Sequence, residues 1–360
     1  MQTVIVLSSF AVLLAYLSKY KNAKFLFEIA FLVIFILTAF RFNFGTDYPS
    51  YYQDFVSISK YSSLKDIVFE LYSSEPAWVV LNFIFKPIGF FGFIIVLTAF
   101  LCYTYYSLIK KYVPPNYYWF AIFIFTFSSD IMWIQFSALR QALSIAIFVH
   151  SVKYLSEKNR PVLYVLLNLL GGLFHSSAYF MIPLVVFSHK KIRNSKIVGI
   201  LIITVFWALL LVGEKYLNQM AMLTELLTGE RYTNRLERET TSSTTLIGSF
   251  VWSSILMIVI YYVRKQSENV KNVFYLTSLH SMVYVLSPLI FLSGRMGYYF
   301  AVFSVITYPL ILQSERNKII KFGIYVIYII FIIYRLFNFF ELEWVVNGYS
   351  DYKTIFTHSM

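Results

Sequence analysis

The stretch AWVVLNFIFKPIGFFGFIIVLTAFLCYTYYSLI, residues 77–109, carries one charge, Lys86. A helix needs about 20 apolar residues to cross the hydrocarbon core of a bilayer. This run exceeds that, so it reads as a span that is tilted or broken near Pro87, where the ring removes a backbone donor. Further apolar runs recur near 4–18, 25–40, 117–134, 137–153, 161–174, 176–188, 197–213, 246–263, 272–292, 296–313 and 319–339. Backbone polar groups in lipid must be satisfied within the chain, which leaves helices or a closed barrel. Alternating ten-residue segments are absent. The fold class is therefore all-α: a polytopic integral membrane protein with about twelve transmembrane helices.

Composition points the same way. Of 360 residues, 59% are hydrophobic, 20% aromatic and 13% charged, against roughly 25% charged in a soluble domain. The net charge of +12 is spread as short basic clusters between apolar runs. That is the pattern that fixes membrane topology, and it argues against nucleic acid as a partner. One set of connections, around Lys19, Lys110, Lys153, Lys190, Arg264 and Arg316, collects eighteen of the 30 Lys and Arg residues and only four of the 18 acidic ones. The positive-inside rule makes that set cytoplasmic and turns both termini outward. Residues 1–17 lack a basic n-region and a small-residue cleavage site, so they read as a first span rather than a signal peptide. Cys102 is the sole cysteine, which rules out a disulfide framework or a Cys-based metal site.

The chain reads as one transmembrane domain, 1–360, with long outward connections at 41–76 and 214–245. In the second, Leu217, Met220, Leu223 and Leu227 stand at helical spacing before a Ser/Thr-rich stretch. It is either a solvated loop with one interfacial helix or a lid.

Ionisable groups in a membrane cost at least about 2.5–3.5 kcal/mol at a helix centre on insertion scales and tend to be functional. In this topology Arg41, Asp47, Glu75, Asp130, Arg140, His175 and Arg295 all fall at the outer ends of spans. Guanidinium groups form forked bonds to phosphate oxygens, which makes Arg41, Arg140 and Arg295 candidate phosphate ligands. His175, Asp47 and Glu75 are candidate bases. Tyr48, Tyr51, Tyr52, Gln141 and Tyr299 are candidate glycan contacts. Each group also has a plain structural reading. Arg41 snorkels beside a capping turn at Gly45–Pro49, and Arg140 pairs with Asp130. His175 hydrogen-bonds a carbonyl, Glu75 caps the helix that begins at Pro76, and Arg295 anchors at the interface. No clustered His set, Asp-x-Asp, P-loop or dinucleotide fingerprint is present, so neither a metal nor a soluble cofactor is expected.

Several arginines with a few bases at one depth suit a lipid-linked phosphate or pyrophosphate. RFNFGTDYPSYYQDF (41–55), SEPAWVVLNFIF (74–85), SALRQALSIAIF (137–148), GLFHSSAYFMIP (172–183) and GRMGYYF (294–300), in that order, resemble the EpsG family of Wzy-type polysaccharide polymerases. The resemblance implies a GT-C-like glycosyltransferase of the bacterial cytoplasmic membrane with its site facing the exterior. Its donor and acceptor would be oligosaccharides on undecaprenyl pyrophosphate, making O-antigen, capsule or exopolysaccharide. The growing glycan would pass to the non-reducing end of an incoming unit without a metal, in membrane lipid, with a chain-length regulator as partner. A flippase or exporter of lipid-linked glycan, a membrane O-acyltransferase and an O-antigen ligase stand as the other readings.

Overall fold

The computed structural model describes residues 1–65, 67, 75–155, 157–209, 246–286 and 291–357 of the chain. The expected interfacial helix within 214–245 lies outside them.

The helix Lys318–Glu341 shows the physical character of the whole. Asn317 caps it, its side chain accepting from the N–H groups of Ile319 and Ile320. Ile324, Tyr328, Ile332 and Leu336 form a buried stripe four residues apart. The opposite face shows Phe322 and Phe337, each 68% exposed, and Ile330 at 62%. An apolar outer face of this kind is stable in lipid and unstable in water.

Three helical segments among the described residues are long and apolar enough to cross a bilayer: Lys21–Ala39, Pro76–Tyr112 and Lys318–Glu341. The count rises to five if Pro115–Phe127 with Ser129–Ser137 and Gly294–Ala301 with Ser304–Ser314 each form one span, bent by 53° and 49°. The chain is thus an α-helical membrane protein; among the described residues helix length carries three to five crossings, and the expected number of about twelve is not confirmed. The apolar runs are helical in their described parts, yet several stop short of the ~20 residues that a bilayer asks for. Gln2–Leu17, Leu139–Val152 and Pro161–Phe174 are examples. Ser176–Ser188 winds as a 3₁₀ helix with Pro183 inside it. The long run at 77–109 breaks at Lys86–Ile88, where Gly89 takes φ +73°.

The chain divides into two compact units. The first comprises Met1–His150, Leu166–Tyr179 and Tyr308–Met360, and the second Ser151–Val165 and Phe180–Thr307. In the first, Gln2–Leu17 packs on Leu26–Ala39 and Tyr118–Phe127, and Leu26–Ala39 packs on Gly89–Tyr112. In the second, Leu246–Val263, Glu268–Leu286 and Phe291–Ala301 pack in sequence.

The connection expected at 41–76 contains a helix. With Pro49 in its first turn, Tyr48–Ser59 forms a helix that buries Tyr48, Tyr51, Phe55 and Ile58 against Trp78, Phe90, Phe93 and their neighbours. The far C-terminal segment returns to hold the start of this connection. Arg41–Phe42 pairs antiparallel with Lys353–Thr354, and the Gly45 N–H donates to the Gly348 carbonyl at 2.9 Å. A polar chain fixes the same place. The Thr46 N–H donates to Ser137 Oγ at 2.9 Å, Ser137 Oγ lies 2.5 Å from Tyr349 Oη, and Tyr349 donates to the Trp133 carbonyl at 2.9 Å.

Candidate functional site

Glu75 stands at the start of the helix Pro76–Phe85, with proline in the first turn as that position favours. Its side chain makes no capping bond to that helix. It turns instead toward two other elements. Arg140 Nη1 lies 2.8 Å from Glu75 Oε2, and His175 Nε2 lies 4.0 Å from Oε1. The arginine contact is a charge pairing read from distance. Glu75 and His175 are each 8% exposed. The Arg140 side chain is 38% exposed, so this cation reaches from the buried carboxylate toward the outside.

Local packing brings these groups together. Leu139, Ala142, Leu143 and Ala146 on the Arg140 helix join the apolar cluster that holds Trp78 and Tyr51. Gly171 lets the following helix come close: a Cβ there would stand 3.3 Å from both Ser144 Oγ and Ala178 Cβ. Ser144 Oγ donates to the Gly171 carbonyl at 3.0 Å, and the His175 N–H donates to that carbonyl at 3.0 Å. His175 is therefore set by the Gly171–Gly172 approach.

The imidazole is held on its Nδ1 side. Its Nδ1 accepts from the Ser177 backbone N–H at 3.4 Å and lies 2.6 Å from Ser177 Oγ. Nε2 is left as the ring nitrogen facing Glu75, 4.0 Å from Oε1.

Arg140 also lies 5.5 Å from the centre of the Tyr51 ring. Burial pushes the Tyr51 phenol up to about 12, with Arg140 opposing the shift. Burial likewise raises the pKa of half-buried Asp54, again opposed by Arg140. Arg140 is thus the cation beside Glu75 whose charge also bears on Tyr51 and Asp54.

The other expected site residues are placed differently. Arg41 is 1% exposed; its guanidinium donates to the carbonyls of Thr38 and Gln135 and lies 5.3 Å from the Phe136 ring centre. It anchors the turn rather than presenting a cation to a ligand. Asp47 is exposed at the start of the helix Tyr48–Ser59, without a side-chain cap bond. Tyr48, Tyr51 and Gln141 are buried, whereas Tyr52 is 46% exposed. Arg295, half-buried, and Tyr299, buried, belong to the second unit. Asp130 does not pair with Arg140. It takes a forked contact from Arg335, whose Nη2 donates to Oδ1 at 3.2 Å while Nη1 donates to Oδ2. Ser177, Asp54 and Arg335 are the participants that the sequence reading did not single out. Among the described residues no three His, Cys, Asp or Glu side chains gather as a metal ion would require.

The class defined by this architecture is an α-helical membrane protein with an arginine–carboxylate–imidazole group at one helix start. Residues 24–354 match the model of the EpsG family, and the chain belongs to that family of polysaccharide-polymerase-like membrane proteins. No curated protein and no solved structure matches it significantly.

Proposed function

We propose that this protein polymerises oligosaccharide repeat units carried on undecaprenyl pyrophosphate, at the exterior face of the bacterial cytoplasmic membrane. It is read as a glycosyltransferase of GT-C-like kind. The observation that carries the reading is the Glu75 carboxylate held between Arg140 and the Nε2 side of His175, in a chain of the EpsG family.

In this reaction an acceptor hydroxyl oxygen attacks the anomeric carbon of the growing glycan. A C–O bond forms, the bond to the pyrophosphate oxygen breaks, and the lipid pyrophosphate leaves with the electron pair. Arg140 turns from Glu75 to the pyrophosphate and offsets the charge that grows there. The carboxylate released by Arg140 takes the acceptor proton. His175 positions it through Nε2, its own Nδ1 being engaged by Ser177. Among the expected bases this puts Glu75 ahead of His175 and Asp47. Exposed Tyr52 is the aromatic surface offered to a sugar ring. Arg41 fixes the turn that carries it.

Deletion of the gene in its host, with the surface glycan resolved on a gel, tests the activity. Single-repeat glycan in the deletion strain, restored to a ladder by the wild-type gene, is the expected result. Complete loss of surface glycan would favour transport or ligation, and unchanged glycan length with lost acyl groups would favour an acyltransferase.

A further inference from the structure

The second unit contains a cleft that the proposed reaction does not use. It lies at the ends of the helices Lys196–Leu209, Leu246–Val263 and Glu268–Leu286 and encloses about 550 Å³ of partly open space. Its lining divides by chemistry. Lys196, Arg264 and Lys271 stand at the helix ends, and Ile200, Ile203 and Ile260 lie about one to two turns deeper. Gly199 sets the spacing of two walls, since a Cβ there would meet Ile260 Cγ2 at 3.1 Å. Ile200 remains 57% exposed beside this charge.

The positive character of the cleft survives its own contacts. Arg193, 7% exposed, backs the cleft, with Nη1 donating to the carbonyls of Leu155, Phe187 and Ser188 at 3.0, 2.9 and 2.7 Å. Carbonyls leave the guanidinium charge uncancelled. Lys271 Nζ gives one proton to Asn194 Oδ1 at 2.7 Å and has two more to give. The nearby carboxylate of Glu268 takes a bond from Asn194 Nδ2 at 2.9 Å, has Lys190 Nζ 3.5 Å away and also feels Lys271, so one carboxylate faces several cations. Lys196 and Arg264 are exposed.

We infer that this cleft binds an anionic phospholipid of the surrounding membrane, with its phosphate among Lys196, Arg264 and Lys271 and an acyl chain along Ile200, Ile203 and Ile260. Ammonium and guanidinium groups make strong charge-assisted bonds to phosphate oxygens, and basic pockets between membrane helices suit lipid head groups. A free phosphate would satisfy the cations and leave the isoleucines unused. A zwitterionic lipid would fill the apolar wall and bring no net charge to the cations. Only a lipid with both features uses the whole lining.

The test uses full-length protein, purified and stripped of lipid in neutral detergent. Its melting temperature is followed with phosphatidylglycerol, with phosphatidylcholine of the same acyl chains, or with inorganic phosphate. Phosphatidylglycerol alone should raise it by several degrees. The Lys196→Gln/Arg264→Gln variant should lose most of that rise while keeping the lipid-free melting temperature, because both side chains are exposed. Arg264→Gln alone, losing about half of the rise, serves if the double variant is poorly folded. Arg316→Gln/Lys318→Gln, altering exposed cations elsewhere, should keep the rise in full. No rise with phosphatidylglycerol, an equal rise with phosphatidylcholine or inorganic phosphate, or a full rise in the cleft variants would each overturn the proposal.

Discussion

Two buried carboxylates meet arginines in the first unit, and they do so in different ways. Asp130 is gripped by both terminal nitrogens of Arg335, with side chains only 9% and 22% exposed. Glu75 is as well buried at 11%, but it meets Arg140 through one nitrogen, and the Arg140 side chain is 38% exposed. The first pair is closed, its charges spent on each other. In the second the cation has capacity left for a ligand, and the carboxylate has an imidazole beside it to hold it when the cation turns away. A buried ion pair offers little net stability over apolar packing, yet breaking one is costly. The comparison therefore separates a closed pair that holds the fold from a more open pair to which the proposed chemistry is assigned.

The sharpest way to break this comparison is to change each arginine to lysine. Arg140→Lys keeps the charge and loses the fork, so polymer formation should fall about 100- to 1,000-fold at unchanged protein yield. Arg335→Lys should leave the rate per folded molecule near wild type. Next in size is Asp130→Asn, which leaves Arg335 uncompensated. It should destabilise the protein by about 3–5 kcal/mol, read as a lower melting temperature, while the surviving protein still polymerises. Gly45→Ala should also act on the fold, since the residue adopts φ +118° and a Cβ would lie 2.2 Å from the Phe136 carbonyl oxygen. A loss of about 1–3 kcal/mol is expected there, with the rate per folded molecule unchanged. The smallest effect belongs to Tyr51→Phe. Removing a hydroxyl beside Arg140 should cost about 1 kcal/mol, roughly a fivefold loss of rate.

How much of this was readable in advance follows from the range of each interaction. The membrane class follows from apolar runs, and the break near Pro87 follows from one proline ring. Glu75, Arg140 and His175 stood out because charge at a span end is costly anywhere. Their meeting was not readable, because it depends on the Gly171 approach and on segments 65 residues and more apart. The pairing of Asp130 with Arg335 spans 205 residues. Nothing in the local sequence of either names the other. The same holds for Tyr349, which reaches back 212 residues to Ser137. By contrast, the helix Tyr48–Ser59 had a readable signal. Tyr48, Tyr51, Phe55 and Ile58 recur at helical spacing after Asp47, with Pro49 in the first turn, inside a stretch read only as a loop. Tyr48 and Tyr51 then proved to be core side chains, since tyrosine serves as packing material as readily as a sugar platform.

The most direct measurement is polymer formation by purified Glu75→Gln protein in proteoliposomes supplied with the lipid-linked repeat unit. Glutamine keeps the shape and removes the proton acceptor. The account predicts that the variant binds the lipid-linked donor and forms no product longer than a single unit. A wild-type ladder at a wild-type rate would contradict it and leave the Glu75–Arg140 pair as structural as its Asp130–Arg335 counterpart.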